Sequence, residues 1–193
     1  MRASGMFGQR IVVAAASIAL LVGCCANSAS QPMPSFALTN QTGRLIRSDE
    51  LRGRAVVISF IFTSCRDVCP LVTTQLARAQ AEARSAGLSS AVRFVSITVD
   101  PGIDTPDVLQ RYATSFGADP ATWDFLTGPP DEIARVVREM GVFVTSDRGR
   151  LGHGTIVLFV TPRGVIVRRY TDVEHLAAQI LDEVRRLRPS ELG

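Results

Sequence analysis

An apolar, β-branched run, Ala55–Phe62, ends in the string FTSCRDVCP (residues 62–70), and a helical pattern follows at once. That junction constrains the chain more than any other stretch. A continuous Val/Ile-rich run of this length reads as a strand buried on both faces, the kind found where helices cover a parallel or mixed sheet. Cys65 and Cys69 then fall at the carboxyl end of a central strand, where open α/β sheets carry their sites. If the first helical turn includes both cysteines, their i,i+4 spacing puts both sulfurs on one face. A rise of about 1.5 Å per residue separates their Cα atoms by about 6 Å. This lies inside the roughly 4.4–6.8 Å that a disulfide tolerates, and it equally suits two thiolates closing on one soft metal ion. A helix N-terminus should also lower the thiol pKa values. The motif allows redox exchange or metal capture.

The N-terminal residues read as a targeting segment. Arg2 and Arg10 give a positive start, and Ile11–Gly23 is an apolar stretch of signal-peptide length. It is shorter than the roughly 20 residues of a membrane span. Leu21-Val22-Gly23-Cys24 resembles a bacterial lipobox, which implies a lipoprotein signal peptide over 1–23 and a lipidated Cys24. An ordinary secretory signal ending near a cysteine is the alternative. Lasting anchorage takes more than one acyl chain. Residues 24–34 read as a lipidated flexible tether, with no role for Cys25. The expected location is extracytoplasmic, on a bacterial cell membrane and facing the periplasm. Residues 35–193 are enough for one domain with a proper core and too few for two.

Charge excludes one class of partner. The chain is formally +3, and removing residues 1–23 takes away two arginines and no acid, leaving about +1. No nucleic-acid footprint is visible. All basic residues are arginine, a bias better ascribed to genome composition than to function. Export sets the redox context. With Cys24 in the anchor, residues 35–193 hold only Cys65 and Cys69. A pair this close encloses too short a loop to act as a structural staple in an oxidising compartment. It is therefore a functional pair.

The rest of the pattern supplies the fold. Phe36–Arg47 alternates around a Thr-Gly turn and reads as an edge hairpin. Pro70–Ala86 carries apolar residues at helical intervals up to Gly87. Val92–Val99 is a second buried strand, stopped by Asp100-Pro101. Thr105 makes an N-cap with Pro106 at the first helical position and Asp107 suited to the dipole, for a helix to about Phe116. Trp123–Leu126 reads as a short strand and Asp131–Met140 as a helix. Thr155–Val160 and Gly164–Tyr170 form a hairpin, and Asp172–Leu187 a closing amphipathic helix. This order is that of an α/β, thioredoxin-like, three-layer fold with an N-terminal β-hairpin and a central mixed sheet. Asp100 ends its strand at the same edge as the cysteines.

Of the two histidines, His153 lies between Gly152 and Gly154 in a loop before a strand, and His175 starts the last helix as a surface residue. His153 is either a solvated loop residue or a ligand. Two cysteines and one histidine make an S₂N donor set, and soft thiolates with imidazole suit copper. Structural zinc would need a fourth protein ligand, which Asp100 could supply. Three soft donors in an incomplete shell fit a metal held for transfer. The competing reading is a thiol–disulfide oxidoreductase, against which stand the three intervening residues and the missing proline near His153. A peroxidase would need an arginine beside the reactive cysteine, for which Arg66 alone is available.

The segments FTSCRDVCP (62–70), TVDPGIDTPDVLQRYA (98–113), WDFLTG (123–128) and LGHGTIVLFVTPRG (151–164) resemble the SCO/SenC family of thioredoxin-like copper chaperones. The resemblance spans the domain from about Phe36 onward. It implies copper ligands at Cys65, Cys69 and His153, with Cu(I) as cargo and Cu(II) left open. It also implies delivery to the dinuclear copper centre of a haem–copper oxidase subunit. A reductase acting on that subunit's cysteines is the alternative, with Cys65 and Cys69 as its redox pair. Other copper carriers or thiol reductants would be further partners. Two departures stand out. Gly152 occupies a position where the family often has aspartate, so a carboxylate that would orient the imidazole is missing or comes from elsewhere. Arg66 occupies a position where proline is common, and its charge should favour thiolates and offset an anionic bis-thiolate site. Asp100 and Asp104 should shape the adjoining loop, with Asp104 or Thr105 capping the helix after it.

Overall fold

The computed structural model describes residues 31–147, 150–153 and 156–187, with residues 145–147 and 150–153 described by backbone alone. The elements in chain order are β1 (Gln31–Pro32), β2 (Ala37–Asn40), β3 (Leu45–Arg47), β4 (Ala55–Ile61), α1 (Val68–Ser85), β5 (Val92–Thr98) and α2 (Pro106–Ser115). There follow β6 (Trp123–Thr127), α3 (Pro130–Glu139), β7 (Val144–Asp147), β8 (Arg150–His153), β9 (Val157–Val160), β10 (Val165–Tyr170) and α4 (Leu176–Arg186). Eight strands form one mixed sheet in the order β1-β10-β9-β4-β5-β6-β2-β3, and β7 and β8 pair separately. β4 runs parallel to β5, and β5 to β6, while β9 is antiparallel to β4.

The period-2 alternation of the central strands divides two cores. Val57 and Ile61 of β4, Phe94 of β5 and Phe159 of β9 pack under Leu76, Leu109 and Ile180 of α1, α2 and α4. Val56, Ile58 and Phe60 point the other way, against Ile133, Val136 and Val137 of α3 and Leu38 of the N-terminal hairpin. Every residue of β4 is buried, as the continuous apolar run requires. The result is the three-layer, thioredoxin-like α/β architecture that the element order predicts. Gly43 turns the β2–β3 hairpin at φ 83°, a conformation open to glycine and strained for other residues.

Some boundaries differ from the sequence reading. Gln31 and Pro32, assigned there to the tether, pair with Ile166 and Val165 of β10. Met33 N–H also donates to the Gly164 carbonyl at 2.8 Å. Composition could not disclose this pairing with a strand more than a hundred residues away. Pro32 is tolerated because β1 is an edge strand. Residues 144–147 and 150–153 also differ, since they pair with each other as β7 and β8 where a loop was expected. Residues 1–30, including Cys24, Cys25, the signal segment and most of the tether, lie outside the described residues. Among the described residues no helix is long and apolar enough to cross a membrane.

Candidate functional site

β4 delivers the chain at Ile61 to the loop 62–67, and α1 begins at Val68. Cys69 therefore sits in the first helical turn, whereas Cys65 lies in the loop before it. This corrects the expectation of two cysteines on one helix face. Arg66 and Asp67 intervene in a non-helical conformation, Asp67 at φ −124° and ψ −100°. The sulfurs nevertheless meet, because the Cys69 thiol is hydrogen-bonded to Cys65. No disulfide joins the two cysteines; Cys65 is half-buried and Cys69 is 1% exposed.

Burial governs the electrostatics. It pushes the Cys69 thiol up to about 12, helped by the hydrogen bond to Cys65 and the negative charges of Cys65 and Asp104, and opposed by a backbone hydrogen bond from Phe62. The expected lowering by the helix N-terminus and by Arg66 does not prevail at Cys69. Arg66 is exposed, where water screens its charge, while Cys69 has left water altogether. Tyr112 of α2 stands beside the pair. Its hydroxyl shares a 3.0 Å hydrogen bond with Thr73 Oγ1, which donates to the Cys69 carbonyl at 2.8 Å. Burial pushes the phenol up to about 12, with the charges of Cys69, Cys65 and Asp104 adding to it.

The loop after β5 forms the second wall. Asp100 is half-buried and raised above the usual carboxylate range, by burial first and then by the neighbouring Asp104. Its N–H donates to Thr98 Oγ1 at 2.9 Å. Thr105 caps α2, with its hydroxyl accepting from Val108 N–H at 3.4 Å. Asp104 does not cap that helix. It is fully buried (0% exposed) and accepts from Thr63 N–H at 3.1 Å and from the hydroxyls of Thr63 and Thr98. Thr63, Thr98, Thr73 and Tyr112 were all missed by sequence reasoning. Thr63 and Thr98 stand inside the quoted motifs, but nothing in a linear string shows that one carboxylate joins them.

His153 is the last residue of β8 and pairs with Val144 of β7. Val144 lines an apolar cleft of about 400 Å³ with Val99 and Pro101, the two neighbours of Asp100. The hairpin bearing His153 thus borders the sheet edge that carries Asp100, although the His153 side chain lies outside the described residues. Among the described residues no group of three or more His, Cys, Asp or Glu side chains could hold a metal. What the structure brings together is the thiol pair, with donor atoms of a type that favours Cu(I) over hard ions.

An α/β domain with a CxxxC pair at the carboxyl end of its central strand defines a class of thioredoxin-like thiol proteins. The SCO1/SenC family pattern matches residues 26–188, and the chain belongs to that family. A SCO1/SenC family lipoprotein from Bacillus anthracis str. Ames superposes with a TM-score of 0.75 at 29% identity, covering 81% of this chain and 95% of its own. Arabidopsis thaliana ScoI with copper bound gives 0.70 at 28%, over 80% of this chain and 98% of its own. BsSco, described as carrying a disulfide switch and as a member of the Sco family of cytochrome c oxidase assembly proteins, gives 0.72 at 27%, over 81% and 93%.

Proposed function

We propose that this protein is a membrane-anchored, extracytoplasmic copper chaperone rather than an enzyme. Cys65 and Cys69 bind Cu(I) as thiolates, with His153 as a neutral imidazole third ligand. The cargo goes to the dinuclear copper centre of a cytochrome c oxidase subunit. The observation that carries this reading is the hydrogen-bonded contact between two reduced cysteines at the end of β4. Two soft donors at one point suit Cu(I). The copper-bound Arabidopsis relative and the oxidase-assembly description of BsSco support the choice of metal and partner. Cys24 carries the lipid anchor, in keeping with the lipoprotein relative, and Cys24→Ser is expected to move the protein from the membrane to the soluble fraction.

The same contact supports a second reading, a thiol–disulfide oxidoreductase that keeps the oxidase subunit's copper-binding cysteines reduced. The disulfide switch described for BsSco favours it. Anaerobic Cu(I) loading of reduced wild type and His153→Ala separates the two. The chaperone reading expects one copper per wild-type chain and at least about tenfold weaker retention in the variant. Equal stoichiometry and affinity in both would remove His153 from the site. No copper on the wild type would leave the reductase.

A further inference from the structure

The two cysteines are held by different means. Cys69 belongs to α1 and moves with an 18-residue helix. Cys65 hangs in the loop 62–67, where its N–H donates to the Phe62 carbonyl at 3.1 Å. Two residues before it, Thr63 is tied through both N–H and hydroxyl to Asp104. The Thr63 hydroxyl donates to Asp104 Oδ1, while Oδ2 accepts both the Thr63 N–H and the Thr98 hydroxyl at the end of β5; Thr98 Oγ1 in turn accepts the Asp100 N–H. Asp104 N–H donates back to the Asp100 carbonyl at 2.9 Å. One buried carboxylate therefore joins the Cys65 arm to the strand end beside it.

We propose that Asp104 is the positioning residue of the thiol pair. By clamping Thr63 to Thr98 it holds the Cys65 arm at bonding range of Cys69, and so supports both the disulfide and the metal-bound state. Asp104 touches neither sulfur in this role; it acts through Thr63. Only the copper half of the inference rests on the chaperone reading. An asparagine at 104 keeps the volume but replaces one acceptor oxygen by an NH2 donor, so one of the two hydroxyls that the carboxylate takes, Thr63 or Thr98, loses its acceptor and the other keeps only a neutral one. Charge and position predict opposite signs. Removing a negative charge beside two thiolates would by itself tighten Cu(I) binding, whereas freeing the arm weakens it.

The test uses Asp104→Asn and Thr63→Val, the second retaining the carboxylate and removing one of its donors. Each folded protein is equilibrated at pH 7 with glutathione and glutathione disulfide. Closing the Cys65–Cys69 bond transfers two electrons and two protons to glutathione disulfide, which leaves as two glutathiones. The equilibrium constant for closure reads the effective concentration of one thiol at the other. It should fall by about tenfold in Asp104→Asn, as expected for one hydrogen bond to a charged group, and in the same direction in Thr63→Val. Cu(I) retention against a chromophoric chelator should fall in parallel. A purely structural role would lower thermal stability and leave both constants of the folded protein unchanged. Either constant unchanged or increased overturns the inference, and Thr63→Val decides if Asp104→Asn does not fold. Should the wild type bind no copper, the chaperone reading fails and the glutathione equilibrium alone decides the role of Asp104.

Discussion

Raising the pH on the reduced protein tests the account of Cys69 most directly. An ordinary thiol ionises near 9.0, and burial moves Cys69 to about 12. At pH 8 a thiol of the first kind is about one-tenth thiolate, and one of the second kind about one part in ten thousand. Iodoacetamide attacks the thiolate, so Cys69 in the folded protein should react about a thousandfold more slowly than in urea. The half-buried Cys65 should be labelled first. Raising the pH from 8 to 11 should restore Cys69 reactivity about tenfold per unit until unfolding intervenes. The same shift acts on stability. A group whose folded pKa is raised contributes fully below its unfolded pKa and loses that contribution as pH climbs toward the folded value. For Cys69 the window is 9.0 to about 12, and the contribution is about 4 kcal/mol. Tyr112 and Tyr170, both moved from 10.0 to about 12 chiefly by burial, act with the same sign. Peptide mass spectrometry after timed labelling provides the assay, with urea denaturation at each pH beside it. Comparable labelling of Cys69 in folded and unfolded protein at pH 8 would refute the reasoning, as would stability that rises between pH 9 and 11.

Other perturbations have equally definite signs. Arg93→Ala should destabilise by about 3–5 kcal/mol, because Asp124 is only 2% exposed and takes both Nε and NH2 of Arg93; urea midpoints report it. Leu76→Ala, at 0% exposure under β4, should lower stability by about 2–5 kcal/mol, read the same way. Tyr170→Phe should leave stability unchanged or raise it by about 1 kcal/mol, since the Tyr170 hydroxyl is buried with no hydrogen-bond partner among the described residues; a clear loss in melting temperature would show that the hydroxyl is satisfied. Copper affinity should climb by at least about tenfold per pH unit between pH 6 and 8, because Cys69 surrenders a proton on binding. A flat profile would mean that Cys69 stays protonated.

The parts legible in the sequence were those set by local periodicity. β4 and β5 follow from unbroken β-branched runs, and α2 from Thr105, Pro106 and Asp107, each in the role its chemistry suggests. The two-sided burial of β4 placed the cysteines at the correct end of the correct strand. What remained illegible depends on contacts between distant segments. β1 exists because β10 offers an edge, and Asp104 became a clamp because Thr105 had taken the cap and left the carboxylate facing Thr63. The thiol pKa was misjudged for a related reason. Position at a helix N-terminus is local and visible in the string, whereas the depth of Cys69 beneath its neighbours is a property of the packed whole.

That depth changes how the pair can work. A helix N-terminus and a nearby arginine would describe a thiolate waiting for a partner, open to oxidants and alkylating agents alike. Burial describes the reverse: Cys69 stays protonated at neutral pH, and its thiolate forms only as something else takes the proton's place. In the proposed function copper would do so by bonding to sulfur and Cys65 would do so in a disulfide, so each state would exclude the other at the same atom. The loop geometry fits this division of labour. Cys69 is fixed in α1 and shielded, while Cys65 sits half-buried on an arm before the helix. Under the proposed function an incoming metal or disulfide would meet Cys65 first and reach Cys69 by way of it. Exchanging the order, with Cys69 alkylated while Cys65 is still free, is therefore the outcome that the folded, reduced protein should not show.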